Sequence, residues 1–252
     1  MNLRKLPFRG GVDTLQNRAK GFTLVELMVA VAIGLFLVST VGVLFVNSKR
    51  TYLAQDANAR IQEGARYAAD YLGRQARESG YLNIVFSQLS STNLFAAPAP
   101  TSFTGTPIAG TEGGASADTI TLSSDSTTDC LGYVVASPAI NLFRINASKQ
   151  LECLGNGSGT PGVVLEDVED MQVLYGQPMG SNYGYVVASS ANMSTVTSIR
   201  VCLLLRAQAD ANKRAVDSSQ KYKDCSGTDQ IKSDGFLRRT MTMTIDLRNR
   251  LQ

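Results

Sequence analysis

The sequence predicts an α+β protein in which a long N-terminal α-helix, its first half transmembrane, packs against an antiparallel β-sheet head. Three observations lead to this prediction. The segment from Leu27 to Ser48 has 22 residues and no charged side chain, the pattern after Arg50 becomes amphipathic with helical spacing, and two segments near the C-terminus alternate apolar and polar residues. We expect the amphipathic half of the helix to cover the apolar face of the sheet.

The apolar segment is long enough to cross a membrane. At 1.5 Å per residue it spans about 33 Å, which matches a hydrocarbon core of about 30 Å. The first 21 residues carry five basic side chains and one acidic one, whereas Lys49 and Arg50 alone follow the segment directly. This bias predicts a cytoplasmic N-terminus and an exported C-terminal part. No small-residue cleavage site follows the apolar stretch, so we expect it to be retained.

The amphipathic pattern predicts one helix from about Phe22 to Ser79, ended by Gly80. A free coiled coil is the alternative. It is disfavoured because the apolar positions do not keep heptad spacing and their small side chains suit close packing on a sheet. These positions are Leu53, Ala57, Ile61, Ala65, Ala68 and Leu72.

The remainder predicts a long surface connection followed by short strands. Residues 87–117 are rich in Ser, Thr, Ala, Gly and Pro, which is typical of a connection, and residues 207–235 are polar and loop-like. Alternation over residues 199–206 and 240–247 predicts two antiparallel strands with one polar face. Weaker strand patterns cover 119–122, 133–136, 141–145, 163–175 (in one or two pieces) and 183–188.

These patterns divide the chain into five segments. We expect a cytoplasmic leader, a transmembrane and assembly helix, an amphipathic helix half, a flexible connecting loop and a disulfide-tied head. In the same order, they cover residues 1–21, 22–48, 49–80, 81–117 and 118–252.

Composition excludes several classes of function. The chain has no histidine, which removes imidazole-based catalytic triads and histidine-ligated zinc or haem. No nucleophile with an activating base can be named, so we expect no enzyme and no cofactor. Beyond the first 21 residues the chain has 19 basic and 20 acidic side chains, which argues against nucleic-acid binding. The acidic run 166–170 could bind a cation or a partner, but a solvated strand edge or turn is favoured.

The four cysteines lack the C-x-x-C spacing of thiolate metal sites and redox motifs. In an exported domain an even number favours two disulfides, each contributing about 3 kcal/mol. Equal local spacing favours Cys130 with Cys153 and Cys202 with Cys225. Three pairings are possible, and four reduced, buried cysteines are the alternative.

The apolar stretch begins before the charge-free segment, at Phe22, and Glu26 places one carboxylate within it. Near the bilayer centre this costs about 3 kcal/mol, so the charge needs a partner or a function. Near the membrane edge the side chain could instead extend to the headgroups.

The sequence around this glutamate, from Lys20 to Leu27, resembles the class III signal of type IV prepilins. The resemblance implies that a prepilin peptidase recognises Lys20, Gly21 and Phe22, cleaves after Gly21 on the cytoplasmic side and methylates the new N-terminus at Phe22. It also identifies Glu26 as the glutamate that the family places four residues after that terminus.

The new Phe22 amine would be cationic at neutral pH, and an apolar helix bundle does not accept the Glu26 carboxylate unpaired. The two groups can pair within one subunit, or between subunits that are staggered correctly. At 4 Å and an effective dielectric near 20 the attraction is about 4 kcal/mol. Pairing between subunits would therefore set the assembly register.

Later segments extend the resemblance to the PilW family of type IV minor pilins; they are residues 78–81, 129–130, 151–153, 165–176 and 247–250. It implies a type IV pilin-like fold and a minor pilin that helps prime a pilus within a low-abundance tip complex. The implied location is the inner membrane with a periplasmic C-terminal domain, and then the surface pilus. The implied partners are other minor pilins and the major pilin, through the N-terminal helix, and the inner-membrane assembly platform.

Family members often have an acidic, calcium-like loop after Tyr-Gly, but residues 176–185 contain no Asp or Glu. We therefore propose no metal. Two other functions share this architecture. One is a tip adhesin that uses loops 87–117 and 155–162, and the other is a minor pseudopilin of a type II secretion system.

Overall fold

The computed structural model describes residues 21–82, 105–114, 116–208 and 219–250. The predicted leader, including Lys20, lies outside these residues, apart from Gly21. The chain divides between Ser48 and Lys49 into two compact units, which are described separately.

The first unit contains the apolar part of α1 (Leu24–Glu78), a helix of 55 residues that continues into the second unit. The sequence predicted its start two residues earlier and its end one residue later. The apolar part is long and apolar enough to cross a membrane, and its side chains are exposed in the single chain. Its hydroxyls are satisfied within the helix, since Ser39 Oγ donates to Leu35 O at 2.9 Å and Thr40 Oγ1 to Phe36 O at 2.8 Å.

The second unit contains the amphipathic part of α1 and the strands. All pairings between the strands that the structure describes are antiparallel. A five-stranded sheet has the order β1-β2-β3-β4-β5, a four-stranded sheet the order β11-β8-β6-β7, and β9 with β10 forms a separate ribbon. The strands are β1 (Ile108–Thr111), β2 (Thr119–Ser124), β3 (Ala139–Ile145), β4 (Leu151–Gly155), β5 (Gly162–Leu165), β6 (Val168–Met179), β7 (Asn182–Val186), β8 (Ser198–Ala207), β9 (Gln220–Lys223), β10 (Asp229–Lys232) and β11 (Leu237–Asp246).

The amphipathic part of α1 packs against the sheets as its pattern predicted, and the alternative of a free coiled coil is excluded. One face of α1 is buried with Ala57, Ala68 and Ala76 fully covered, and it joins the same core as alternate residues of β8. Small side chains allow this close approach, and a Cβ added at Gly64 would touch Leu165 and Leu205. The long helix and antiparallel sheets confirm the predicted α+β fold.

Several strands differ from the prediction. Residues 133–136 form only an isolated bridge between Thr128 and Val134. Conversely, β1 lies within the segment predicted as a flexible connecting loop, and β9 and β10 lie within the predicted loop 207–235. We did not predict β4, because it is buried on both faces and therefore shows no apolar alternation.

Tyr175 makes the glycine at position 110 a steric requirement. The Tyr175 ring is fully buried, and a Cβ at Gly110 would overlap its hydroxyl group. We expect Gly110→Ala to lower the free energy of unfolding by about 2 kcal/mol through overpacking. The Tyr175 hydroxyl has no hydrogen-bond partner among the described residues, so Tyr175→Phe should not destabilise the fold. Urea unfolding of the full chain in detergent micelles checks both, and unchanged stability in Gly110→Ala would contradict the packing.

Candidate functional site

The predicted processing site lies directly before α1. Gly21 and Phe22 are exposed and precede the first helical residue. Thr23 is the N-cap, since its Oγ1 accepts a hydrogen bond from the Glu26 backbone N–H at 3.2 Å. Thr23 and Glu26 thus have the spacing of a capping box. In this motif the hydroxyl of the N-cap residue and the carboxylate of the third helical residue each accept a hydrogen bond from a backbone N–H group that the helix leaves free. The chain can be cut at Gly21 without opening a helical turn.

Glu26 is the acidic residue of the first turn of α1. Free N–H groups give this end of a helix a partial positive charge, which stabilises a carboxylate. Scission after Gly21 would add a cationic amine at the same end. The sequence analysis did not identify Thr23 as part of this site, although its T-x-x-E spacing from Glu26 is a recognisable signal.

Both disulfides have the local pairing that the spacing favoured, Cys130 with Cys153 and Cys202 with Cys225. The first ties the loop after β2 to β4, and the second ties β8 to the β9–β10 turn. Tyr71 of α1 donates to Cys130 O at 2.6 Å, so the first disulfide is also joined to the helix.

The buried Asp129 organises the loop next to this disulfide. Its carboxylate accepts hydrogen bonds from the backbone N–H groups of Leu131, Tyr133 and Gly157 at 2.9 to 3.0 Å. The last of these donors belongs to loop 155–162, one of the two loops predicted as adhesin contacts. The larger part of the other loop, 87–104, lies outside the described residues.

The C-terminal segment caps the end of α1. Asn249 Nδ2 donates to Arg77 O at 2.9 Å and to Ser79 O at 3.3 Å, which satisfies carbonyls that a helix end leaves free. Gly80 has φ of +73°, as expected for a glycine that ends a helix. Two segments that carry the resemblance, 78–81 and 247–250, are therefore in contact.

The acidic run 166–170 is not simply a solvated edge. The Glu169 side chain is only 6% exposed and receives two hydrogen bonds from Arg238, Nε to Oε2 at 2.8 Å and Nη2 to Oε1 at 2.6 Å. Arg238 also contacts Asp234, and Lys232 contacts Glu169 at 3.3 Å. The solvated-edge prediction is therefore wrong for Glu169, while Glu166 is exposed. No group of three potential metal-ligating side chains occurs among the described residues.

Burial works to raise the pKa of Glu169, but the hydrogen bonds and charges of Arg238 and Lys232 lower it below its ordinary value. The hydrogen bond from Arg238 also lowers the pKa of Asp234, to about 2. For Arg238, burial lowers the pKa and the two carboxylates raise it, with a net increase. The three groups thus hold one another in their charged forms.

These shifts predict acid sensitivity. A carboxylate with a lowered folded-state pKa stabilises the fold above its unfolded pKa of about 4 and loses this contribution as the pH falls through the folded value. We expect the free energy of unfolding to fall between about pH 5 and pH 2. Asp234→Asn should begin lower at pH 7 and fall less, as measured by urea unfolding at each pH. Parallel curves for the two proteins would contradict this role.

Comparison with known proteins gives two family matches. Residues 133–249 match the family model described as Type IV Pilus-assembly protein W, and residues 16–42 match the prokaryotic N-terminal methylation motif. A solved type IV-like pilin from Thermus thermophilus is similar over 77% of this chain and 100% of that chain, with 13% identity and a TM-score of 0.48. No curated protein matches the chain.

The two family matches lie in separate parts of the chain. The first contains both cysteines of the second disulfide and the cap residue Asn249, and the second contains Gly21, Phe22 and Glu26. The N-terminal apolar helix and the signal motif fit a membrane-anchored pilin. The chain is therefore similar to the PilW family of type IV pilus-assembly proteins over residues 133–249, and its N-terminus carries the prokaryotic methylation motif.

Proposed function

We propose that the chain is a minor pilin that helps prime a type IV pilus as part of a low-abundance tip complex. The observation that supports this most strongly is the methylation motif at residues 16–42, followed directly by the apolar part of α1. The apolar segment would anchor the chain in the inner membrane before assembly, with the head in the periplasm, and would pack against other subunits afterwards.

Maturation would create the group that pairs with Glu26. A prepilin peptidase would recognise Lys20, Gly21 and Phe22, cut after Gly21 and methylate the Phe22 amine. This amine and the Glu26 carboxylate would lie at the same end of α1, where each offsets the charge of the other. Pairing between subunits would then fix the axial register in which this chain joins the major pilin and the other minor pilins.

The head would act as a structural element and not as an enzyme. The two disulfides tie loops of the head to its sheets. Asn249 caps the C-terminal end of α1, and Arg238 pairs with the buried Glu169. Such a head can present a surface to neighbouring subunits, while the N-terminal helix would contact the assembly platform in the inner membrane.

Deletion of the chain, followed by counting surface fibres and measuring protein secretion, tests this function. We expect fibres to fall at least tenfold with secretion unchanged, and the full-length chain to restore them. Lost secretion with intact fibres would instead indicate a minor pseudopilin. Intact fibres with lost attachment would indicate a tip adhesin.

A chain that cannot be processed provides the matched control. Gly21→Leu places a bulky side chain at the proposed cleavage position, where an added Cβ would meet no atom of the described residues within 4 Å. It should accumulate at normal levels with its leader attached and fail to restore fibres. Restoration of fibres by an uncleaved chain would contradict the proposed maturation.

A further inference from the structure

The outer edge of β11 has unpaired backbone groups along its length. β11 pairs with β8 in one regular register from Leu237 to Asp246, and it forms one edge of the four-stranded sheet. In a regular antiparallel pair, every second residue directs its N–H and C=O groups away from its partner strand. The phase of this alternation decides which residues of β11 offer these groups.

Hydrogen bonds at both ends of the strand establish the phase. Arg238 N–H donates to Gln220 Oε1 at 3.0 Å, and Arg238 O accepts from Gln220 Nε2 at 3.4 Å, so both backbone groups face away from β8. One residue beyond the other end, Leu247 N–H donates to Thr197 O at 2.8 Å, which faces towards β8. The even-numbered residues therefore point outwards.

In the open part of this edge, the residues whose backbone N–H and C=O groups face away from β8 are Thr240, Thr242 and Thr244. All three are exposed, and within the described ranges no residue hydrogen-bonds to their backbone groups. At Arg238 the Gln220 side chain already occupies the equivalent groups, so the edge is closed at that end. These three threonines offer three N–H and three C=O groups, enough for one short added strand.

A groove runs beside this edge, between β11 and α1. Its volume is about 450 Å³, its apolar surface is formed by Ile61, Ala65, Leu205 and Met241, and its polar rim includes Asn58, Gln62 and Arg239. A strand added to β11 would direct every second side chain towards the helix side of the sheet. The edge of β11 therefore offers backbone hydrogen bonds to an added strand, and the groove beside it offers an apolar surface for every second side chain of that strand.

The charges at the two ends specify the occupant further. Arg239 is exposed near the Gln220 end, and Asp246 is exposed at the other end. An antiparallel strand on β11 would have its C-terminal end opposite Arg239 and its N-terminal end opposite Asp246. Complementarity thus favours an acidic C-terminal end and a basic N-terminal end.

We propose that β11 binds an extended segment of another polypeptide by antiparallel strand addition. The segment has apolar residues at alternate positions, a basic residue near its N-terminal end and an acidic residue near its C-terminal end. The β11 strand of a second copy has the same alternation and the same end charges, but its direction argues against it. Two-fold pairing of β11 with itself would turn the packed halves of α1 antiparallel, which does not suit chains anchored by the same helix in one membrane.

The inference deepens the proposed assembly role and rests on it for biological meaning, but its test is independent of fibre formation. The probe is the capped peptide Lys-Val-Thr-Val-Thr-Val-Thr-Glu, added to the full mature chain in detergent micelles. Amide exchange resolved to single residues should slow at least tenfold at Thr240, Thr242 and Thr244 when the peptide is present. The odd-numbered amides between them already face β8 and should not change.

A proline substitution provides a matched comparison. Thr242→Pro removes an N–H group that β8 does not use, whereas Thr242→Val keeps that group and a similar side-chain volume. We expect the peptide to bind Thr242→Pro at least tenfold more weakly and Thr242→Val within twofold of the unchanged chain. Equal binding by the two variants would overturn the proposal.

Charge exchange at the exposed Arg239 tests the orientation without altering the ladder. The unchanged chain should prefer the peptide ending in Glu by about threefold over one ending in Lys, and Arg239→Glu should reverse this preference. Absence of peptide protection in the unchanged chain would overturn the proposal. So would slow exchange of the three threonine amides without peptide, since a segment of the chain itself would then cover the edge, or protection that depends only on protein concentration, since a second copy would then do so.

Discussion

Glu26→Ala should mature normally and yet enter fibres poorly. The substitution leaves Gly21 and Phe22 unchanged, so cleavage and methylation should proceed. It removes the only acidic side chain of the first turn of α1 and leaves the Phe22 amine without a nearby anion. Because the substitution removes an attraction of about 4 kcal/mol between the Phe22 amine and the Glu26 carboxylate, we expect at least a tenfold drop in the fibre-to-membrane ratio of the chain.

The ratio is measured by immunoblotting sheared fibres and membranes. Glu63→Ala is the matched control, because it removes the same charge from an exposed position on the same helix and should leave the ratio unchanged. Mass spectrometry of the membrane pool verifies that both variants are processed. Incorporation of processed Glu26→Ala at the normal ratio would remove the register argument.

Glu169→Ala should destabilise the head by about 3 kcal/mol. It removes the carboxylate that receives two hydrogen bonds from Arg238, whose side chain is only 1% exposed. Removing the partner of an arginine buried to this degree costs far more folding free energy than removing the partner of an exposed arginine. Asp234 still contacts Arg238 in this variant, so the chain should remain folded but less stable.

Urea unfolding in detergent micelles measures this loss. Glu166→Ala removes the same charge three residues earlier from an exposed side chain, and we expect a change below about 0.5 kcal/mol. Equal losses in the two variants would show that general charge, not the buried pair, stabilises this region.

The sequence predicted the parts of the fold whose patterns are local. The long helix was predicted within two residues at each end, because apolar periodicity and Gly80 mark it independently of tertiary contacts. The alternation of β8 and β11 was equally clear. By contrast, β4 has no alternation because it is buried on both faces, and β9 contacts β11 through Gln220, 18 residues away from Arg238, which no local pattern reveals.

The candidate site divides in the same way. Gly21, Phe22 and Glu26 stand out because their motif is contiguous, and Thr23 could have been identified from its spacing to Glu26. Glu169 and Asn249 could not be singled out. Their roles arise from Arg238 and Arg77, which lie 69 and 172 residues away in the chain. Glu169 looks like its exposed neighbours until the fold places a buried arginine beside it.

The most direct test of the account is the mass of the N-terminal peptide of the mature chain, isolated from membranes and from sheared fibres. We expect a peptide that begins at Phe22 and carries one added methyl group on its amine. A chain that keeps residues 1–21, or begins at another residue, would contradict the account, because Glu26 would then lack the cationic group that scission after Gly21 is proposed to create.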